Sequence, residues 1–336
     1  MMKALWLVKH GRWEVRPTPE PQPEADEVRI AVRATGLNFA ELMASQGLYP
    51  DAPKLPAILG YEVAGIIDAV GDRVDAARIG ERVVGMTHFG GHAQYACVPS
   101  TFALAVPSAV SYEEAAALPV TYLTAYHLLF FAANLRPGES VLVQMAAGGV
   151  GTAVLQLCRT VEDVTTFGTA STGKHGALRD NGCTYAIDYH AADYAAEVLR
   201  LTQGRGVDIA LDPLGGRDTL KAYRLLRPGG RIVVYGFANL QRRRRNLLHV
   251  IGQVVRVPRF SPLQLMADNR GVIGVNIGRL SDRADLLLGE MQAILALYEQ
   301  GKIAPVIDRV LPLEHAAEGY AYLASGSNVG KIILTT

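Results

Sequence analysis

The sequence predicts an α/β protein in two parts, one rich in β-strands and one built on a doubly wound parallel sheet. Two features point there. Through the first hundred residues, short β-branched runs closed by Gly, Asp or Asn follow one another. After residue 118, apolar strands alternate with helical segments, the pattern of a parallel sheet covered on both faces. A chain of 336 residues is long enough to give each part its own core.

The β-rich runs are EVRIAVRATGL, YEVAGIIDAVG, ERVVGMTHF and AQYACVP. The stretch AAALPVTYLTAYHLLFFAA, residues 115–133, carries no formal charge, yet it holds Pro119, two tyrosines, two threonines and His127 and has no basic flank. It reads as a buried core helix rather than a membrane span. SVLVQM then leads into a glycine turn and a helix through Arg159, and VTTFGT, TYAIDY, VDIALD and RIVVYG follow as strands separated by helical patterns such as DTLKAYRLL. From about residue 262 come a helix, the short strand GVIGVNIG, the amphipathic helix ADLLLGEMQAILALYEQG and a last strand, VGKIILTT. The chain has no internal repeat; its nearest approach to low complexity is Arg242–Arg245.

Composition excludes several classes. With 49% hydrophobic and 19% charged residues the chain is an ordinary globular protein. A net charge of +1 draws it neither to nucleic acid nor to an acidic surface. Cys97, Cys158 and Cys183 are scattered, which argues against a disulfide scaffold or zinc ribbon and fits a reducing compartment. The apolar run ALWLV before Lys9 is too short for a signal-peptide core, so a cytoplasmic protein is expected.

The segment AAGGVG, residues 146–151, matches G-x-G-x-x-G with Ala146 in place of the first glycine. With a strand before it and a helix after it, it has the context of a Rossmann dinucleotide site, where Ala147, Gly148, Gly149 and Val150 would meet the cofactor and the pyrophosphate would rest on the helix N-terminus. An NAD-specific site places Asp or Glu about 20 residues on, for the ribose 2′-hydroxyl. Here that place holds GTAS. The stretch GTASTGKH, residues 168–175, is also one residue from a nucleotide-binding P-loop, with His175 where a hydroxyl would ligate Mg²⁺. It reads instead as a pocket for a 2′-phosphate: Thr169 and Ser171 offer hydroxyls and Lys174 an ammonium. The cofactor expected is NADPH.

With GLNFAELMASQGLYP, GYEVAG, GERV, AAALPVTYLTAYHLL, AAGGVG and VGKIIL, the whole chain resembles the medium-chain dehydrogenases/reductases, among them the zinc-free quinone oxidoreductases. MAAGGVG, QLCRTVEDV, FGTAS, DPLGG and YGFANL look especially like the vesicle amine transport protein branch. The resemblance implies a GroES-like β domain from residues 1–118 and 263–336, split around a Rossmann domain of residues 119–262. It places Asn38 and Thr124 beside the nicotinamide, Gly168, Ser171, Lys174 and Tyr189 round the adenosine phosphate, and Gly236 and Phe237 along the cofactor. It also implies a homodimer paired along GVIGVNIG, since an open apolar edge invites association.

In alcohol-dehydrogenase members of the family a cysteine, a Gly-His-Glu histidine and a later cysteine or glutamate bind catalytic zinc. The matching places here hold Asn38, Tyr61 and, approximately, Val120, which make no zinc site. His88, His92 and Cys97 read as surface or core side chains rather than a metal site, and no metal is expected. Without a Lewis acid, alcohol–ketone chemistry is poorly supported. A quinone or conjugated enone takes hydride into an already electrophilic π system, so the protein mainly positions the partners. Asn38, Tyr49 and Tyr61 are then the candidates to position the acceptor. Alternatively, Tyr49 packs the turn before Pro50 and Tyr61 fills the vacated metal cavity. Glu62 reads as a structural carboxylate and Asp212–Pro213 as a turn. Two other functions stay open: an enoyl-thioester reductase, and a non-enzymatic NADPH-binding protein associated with lipid or membrane. For the last, NLQRRRRNLLHVIGQVVRVPRF offers four arginines before a short apolar face; a solvated loop leading to a helix is the favoured reading, and peripheral membrane contact the less favoured one.

Overall fold

The computed structural model describes residues 1–241, 252 and 257–336. Arg242–Arg245 and most of the apolar segment after them lie outside the described residues. Two compact units divide the chain: Met1–Leu123 with Asp285–Ala293 and Ala304–Thr336, and Thr124–Ala284 with Ile294–Ile303.

In the first unit, Glu27–Gly36 is the hub of a seven-stranded sheet. Its order is Ile307–Pro312, Lys331–Thr335, Glu27–Gly36, Glu62–Val70, Arg82–Met86, Ala103–Ala105, with Tyr95–Pro99 also paired to the hub. Alternation along the hub buries Val28, Ile30, Val32 and Ala34, and the first three pack with Val63, Ile67, Val83 and Val98. A smaller sheet joins Met2–Lys9 to Arg12–Thr18 and Ala57–Ile58. Its second strand, RWEVRPT, is polar and has no fully buried residue, so the sequence carries little sign of this hairpin. Lys331–Thr335 runs antiparallel to the hub, Ile333 opposite Gly36, and so brings Lys331 to the point where the chain turns into the helix Phe39–Ser45.

The second unit is built on six parallel strands in the order Tyr185–Asp188, Thr165–Ala170, Ser140–Val143, Val207–Asp212, Leu226–Val234, Gly271–Gly274. Numbered along the chain this is 3-2-1-4-5-6, the doubly wound dinucleotide-binding order, with its switch point between Ser140–Val143 and Val207–Asp212. Leu142, Phe167, Ile187, Ala210 and Ile232 form its core with Val198 and Tyr223 from the covering helices. Residues 263–284, which the sequence-based division joins to the other domain, fall in this unit because Gly271–Gly274 hydrogen-bonds along Leu226–Val234.

The uncharged stretch before the first of these strands folds as Tyr112–Ala116, Pro119–Tyr126 and a wider π-type turn, His127–Ala132. Pro119 opens its helix, where a missing N–H leaves nothing unsatisfied. Among the described residues no helix is long and apolar enough to cross a membrane.

Candidate functional site

In the second unit the dinucleotide motif sits at the C-terminal ends of the parallel strands. After Val143 the chain passes through Gln144 and Met145, the latter in the left-handed region at φ 52°, and Gly148 caps the helix Gly149–Cys158. Two glycines of the motif answer to different constraints. A Cβ on Gly151 would lie 2.5 Å from the Met145 carbonyl oxygen, so helix–turn packing requires glycine there. A Cβ on Gly148 would meet only that oxygen, at 3.4 Å, an ordinary contact. The protein's own packing therefore does not explain Gly148, and the space beside it is open.

The adjoining strands bring the other predicted cofactor residues to the same end of the sheet. Gly168 pairs with Val143 on one side and Ala186 on the other. A Cβ there would strike Cys183 Sγ at 2.7 Å, so packing accounts for this glycine. Thr169 is buried, Ser171 and Lys174 are half-buried on the turn that follows, and Tyr189 is half exposed beyond Asp188. Gly236 and Phe237 follow Leu226–Val234, where the Phe237 ring lies against Gly215. Asp212 caps its turn, accepting from Leu214 N–H at 2.8 Å, Gly215 N–H at 3.0 Å and Thr219 Oγ1 at 2.6 Å. Burial pushes its carboxyl above the usual range against these donors.

Two residues of this edge escape sequence reasoning. Gln144 donates to Tyr194 Oη at 3.0 Å, but its Oε1 is enclosed without a hydrogen-bond partner. Its only sequence signal is a polar residue between an apolar strand and a glycine turn. Asp188 supplies a carboxylate beside the turn Ser171–Lys174, from the third strand rather than the second. It accepts from the Thr172 N–H and hydroxyl and, at 2.8 Å, from the His190 N–H. The Thr172 hydroxyl, then the His190 N–H, hold its pKa down to about 2. Its oxygens are thus used in shaping the turn that carries Ser171 and Lys174. An open cavity of about 400 Å³ lies at the other end of the sheet, between Gly230, Arg231, Leu265 and Arg270, and takes no part in this site.

In the first unit, Asn38 caps the helix Phe39–Ser45, the Tyr61 N–H donates to Glu41 in its first turn, and Tyr49 follows its other end. Asn38 is buried; its Nδ2 donates to Gly36 O at 3.2 Å and Glu62 Oε1 at 3.0 Å, and its Oδ1 accepts from Lys331 Nζ at 2.5 Å. Lys331 also donates to Leu37 O at 3.1 Å and forms an ion pair with Glu62 Oε1. Glu62 Oε2 accepts from the Val120 N–H at 2.8 Å, in the first turn of the helix that carries half-buried Thr124. A Cβ on Gly36 would come within 2.6 Å of Lys331 Cε, so the ion pair is accommodated by glycine. Lys331 was read only as part of a terminal strand.

Glu41 lies beneath the same residues, accepting from the Asn38 N–H at 2.8 Å and the Tyr61 N–H at 3.1 Å. The Tyr61 oxygen is enclosed, with the Tyr49 phenol beside it. Burial, then the neighbouring Tyr49 phenol and Glu41 carboxylate, raise its pKa well above the ordinary phenol value. Tyr49 is half-buried against the cluster of Leu7, Ala44 and Leu59, and the Phe89 ring lies 5.3 Å from that of Tyr61.

A GroES-like β unit with a 3-2-1-4-5-6 parallel sheet and a glycine turn defines the medium-chain dehydrogenase/reductase class of oxidoreductases. Comparison with known proteins agrees. The alcohol dehydrogenase GroES-like domain family matches residues 24–108 and the zinc-binding dehydrogenase family residues 181–334. The human synaptic vesicle membrane protein VAT-1 homolog is 47% identical over 340 residues, spanning 99% of this chain and 86% of the human one. Among solved structures, a quinone oxidoreductase of Pseudomonas syringae pv. tomato is 28% identical with a TM-score of 0.87, over 100% of both chains. The CurK enoyl reductase is 27% identical with a TM-score of 0.84, over 99% of both chains. A mycobacterial protein complexed with NADPH is 26% identical with a TM-score of 0.86, over 100% of both chains. The chain belongs to the medium-chain dehydrogenase/reductase family, in its VAT-1 branch.

Zinc, which one matching family carries in its name, does not fit the donors present. The three places hold an amide engaged by Glu62 and Lys331, a phenol and an aliphatic side chain, with the Lys331 cation already among them. Among the described residues no three His, Cys, Asp or Glu side chains gather as a metal site.

Proposed function

We propose that the protein is an NADPH-dependent reductase of a quinone or a conjugated enone that works without a metal ion. The observation that carries this reading is the Tyr61 phenol, enclosed beside the Tyr49 phenol and the Glu41 carboxylate, at the place of a zinc-binding histidine in other members. Its raised pKa keeps the phenol protonated, so it meets an acceptor oxygen as a hydrogen-bond donor.

NADPH supplies the hydride when bound. The open space at Gly148 and the unpartnered Gln144 Oε1 fit a ligand at the strand ends. Ala147, Gly149 and Val150 would follow the pyrophosphate, Thr169, Ser171, Lys174 and Tyr189 would hold the adenosine phosphate, and Gly236, Phe237 and Thr124 would line the rest. Asn38, with both amide protons engaged within the chain, keeps its Oδ1 as the atom free to accept more than one bond. Tyr61 and Tyr49 would then orient the acceptor, and positioning would supply most of the rate.

The CurK enoyl reductase likeness favours a second acceptor class, enoyl-thioesters, in the same site. The VAT-1 homologues' description as vesicle membrane proteins keeps a non-enzymatic, lipid-associated role as the third reading. Turnover of NADPH with quinones, enones and enoyl-thioesters separates the three. We also propose a cytoplasmic homodimer joined along Gly271–Gly274, the edge strand of its sheet, beside which Leu263 and Met266 are more than three-quarters exposed. Light scattering at micromolar concentration should give twice the chain mass, and a monomer's mass would remove the dimer.

A further inference from the structure

Thr35, Glu41, His92 and Tyr320 form a buried cluster inside the first unit, each no more than 2% exposed. Its protons can be assigned one by one. Thr35 Oγ1 lies 2.7 Å from the Glu62 carbonyl oxygen, which has no proton to give, so the threonine proton is committed there. His92 Nδ1, 3.0 Å from the same Oγ1, must therefore be a donor. On the other side of the ring, Nε2 is 2.8 Å from Tyr320 Oη and 3.3 Å from Glu41 Oε2, while Tyr320 Oη is 2.8 Å from Glu41 Oε2. One phenol proton serves only one of the two 2.8 Å contacts, so the other needs a proton on Nε2 or on Glu41. Glu41 already accepts backbone N–H groups from Asn38 and Tyr61, which favours its ionised form. The extra proton therefore belongs to Nε2.

We infer that His92 is a positioning residue, held as an imidazolium that keeps Glu41 ionised while Glu41 fixes the backbone at Asn38 and Tyr61. Its bearing on the acceptor rests on the proposed role of those two residues; the charge state of the ring does not. The other polar groups around the cluster are accounted for. Lys331 acts on Glu41 in the same sense as His92, and the Glu62 carboxylate is taken up by Lys331, Asn38 and Val120. The Tyr61 and Tyr320 phenols are held protonated, burial being the main cause in each. Trp13 stacks on Tyr320 with ring centroids 4.3 Å apart and keeps the phenol in register.

The test is nitrogen NMR of the histidine rings in the full-length, ¹⁵N-labelled protein, at a pH about one unit above 6.5, where a free histidine half-titrates. His92→Gln identifies the signal. Both ring nitrogens of His92 should be protonated; one bare nitrogen would overturn the inference. In His92→Gln, hydrogen exchange at the Asn38 and Tyr61 amides should rise at least about tenfold, as one loses an acceptor held in place, while Val143 in the second unit stays protected. Unchanged exchange at those two amides would overturn the positioning role. If His92→Gln does not fold, deleting it no longer assigns the signal, but His92→Asn or selective labelling does, and the wild-type ring still decides. A cationic ring and faster exchange in a protein that reduces no acceptor would sink the proposed activity and leave this inference standing.

Discussion

Lys331 Nζ lies 2.5 Å from Glu62 Oε1, with the two side chains 4% and 0% exposed inside the first unit. A buried pair of this kind stabilises little relative to apolar side chains, but removing one partner leaves an uncompensated charge. Lys331→Met should therefore cost about 3–5 kcal/mol in urea unfolding. Glu62→Gln with Lys331→Met should recover most of that loss. A single variant as stable as wild type would show that the pair does not exist in solution.

The two glycines of the dinucleotide turn should separate when changed. Gly151→Ala drives a Cβ to 2.5 Å from the Met145 carbonyl oxygen and should cost about 1–3 kcal/mol of stability. Gly148→Ala makes only a 3.4 Å contact at a φ of −76° that alanine accepts, so stability should stay within about 1 kcal/mol. Its effect should fall on NADPH affinity, by at least about tenfold, read by calorimetry. Undiminished binding by Gly148→Ala would show that no pyrophosphate comes close to that turn.

These contrasts mark what the sequence discloses. The parallel sheet and glycine turn were legible because each is written locally, as apolar runs and a short motif with a strand before it and a helix after it. The polar interior of the first unit was not. Glu41 and Tyr320 are 279 residues apart in the chain, and no local pattern announces their contact. His92 in GGHAQY had no feature separating a core histidine from a surface one. Lys331 lies in a strand whose first four residues are all buried, so period-two alternation gave no hint that an ammonium stays inside. The count for a ribose-binding acid ends on the strand Thr165–Ala170, one strand before Asp188.

Lys174 is the cation of the turn after Thr165–Ala170, and the proposed site has NADPH depend on it. Losing one charge-assisted contact to phosphate costs about 1.5–3 kcal/mol, roughly ten- to a hundredfold in affinity. Lys174→Ala should weaken NADPH by that factor and leave NADH nearly unchanged. Equal losses for both cofactors would mean that the 2′-phosphate is held elsewhere.

One experiment bears on the proposed activity as a whole: steady-state oxidation of NADPH by purified, chelator-treated protein against quinones, conjugated enones and enoyl-thioesters, alongside Tyr61→Phe. The proposal expects turnover with quinones or enones that survives the chelator, and a Tyr61→Phe variant that still binds NADPH but loses about tenfold or more in kcat/KM, as removal of a hydrogen bond worth about 1.5 kcal/mol implies. Tight NADPH binding with no oxidation by any acceptor, or faster turnover of enoyl-thioesters than of every quinone and enone, would contradict it.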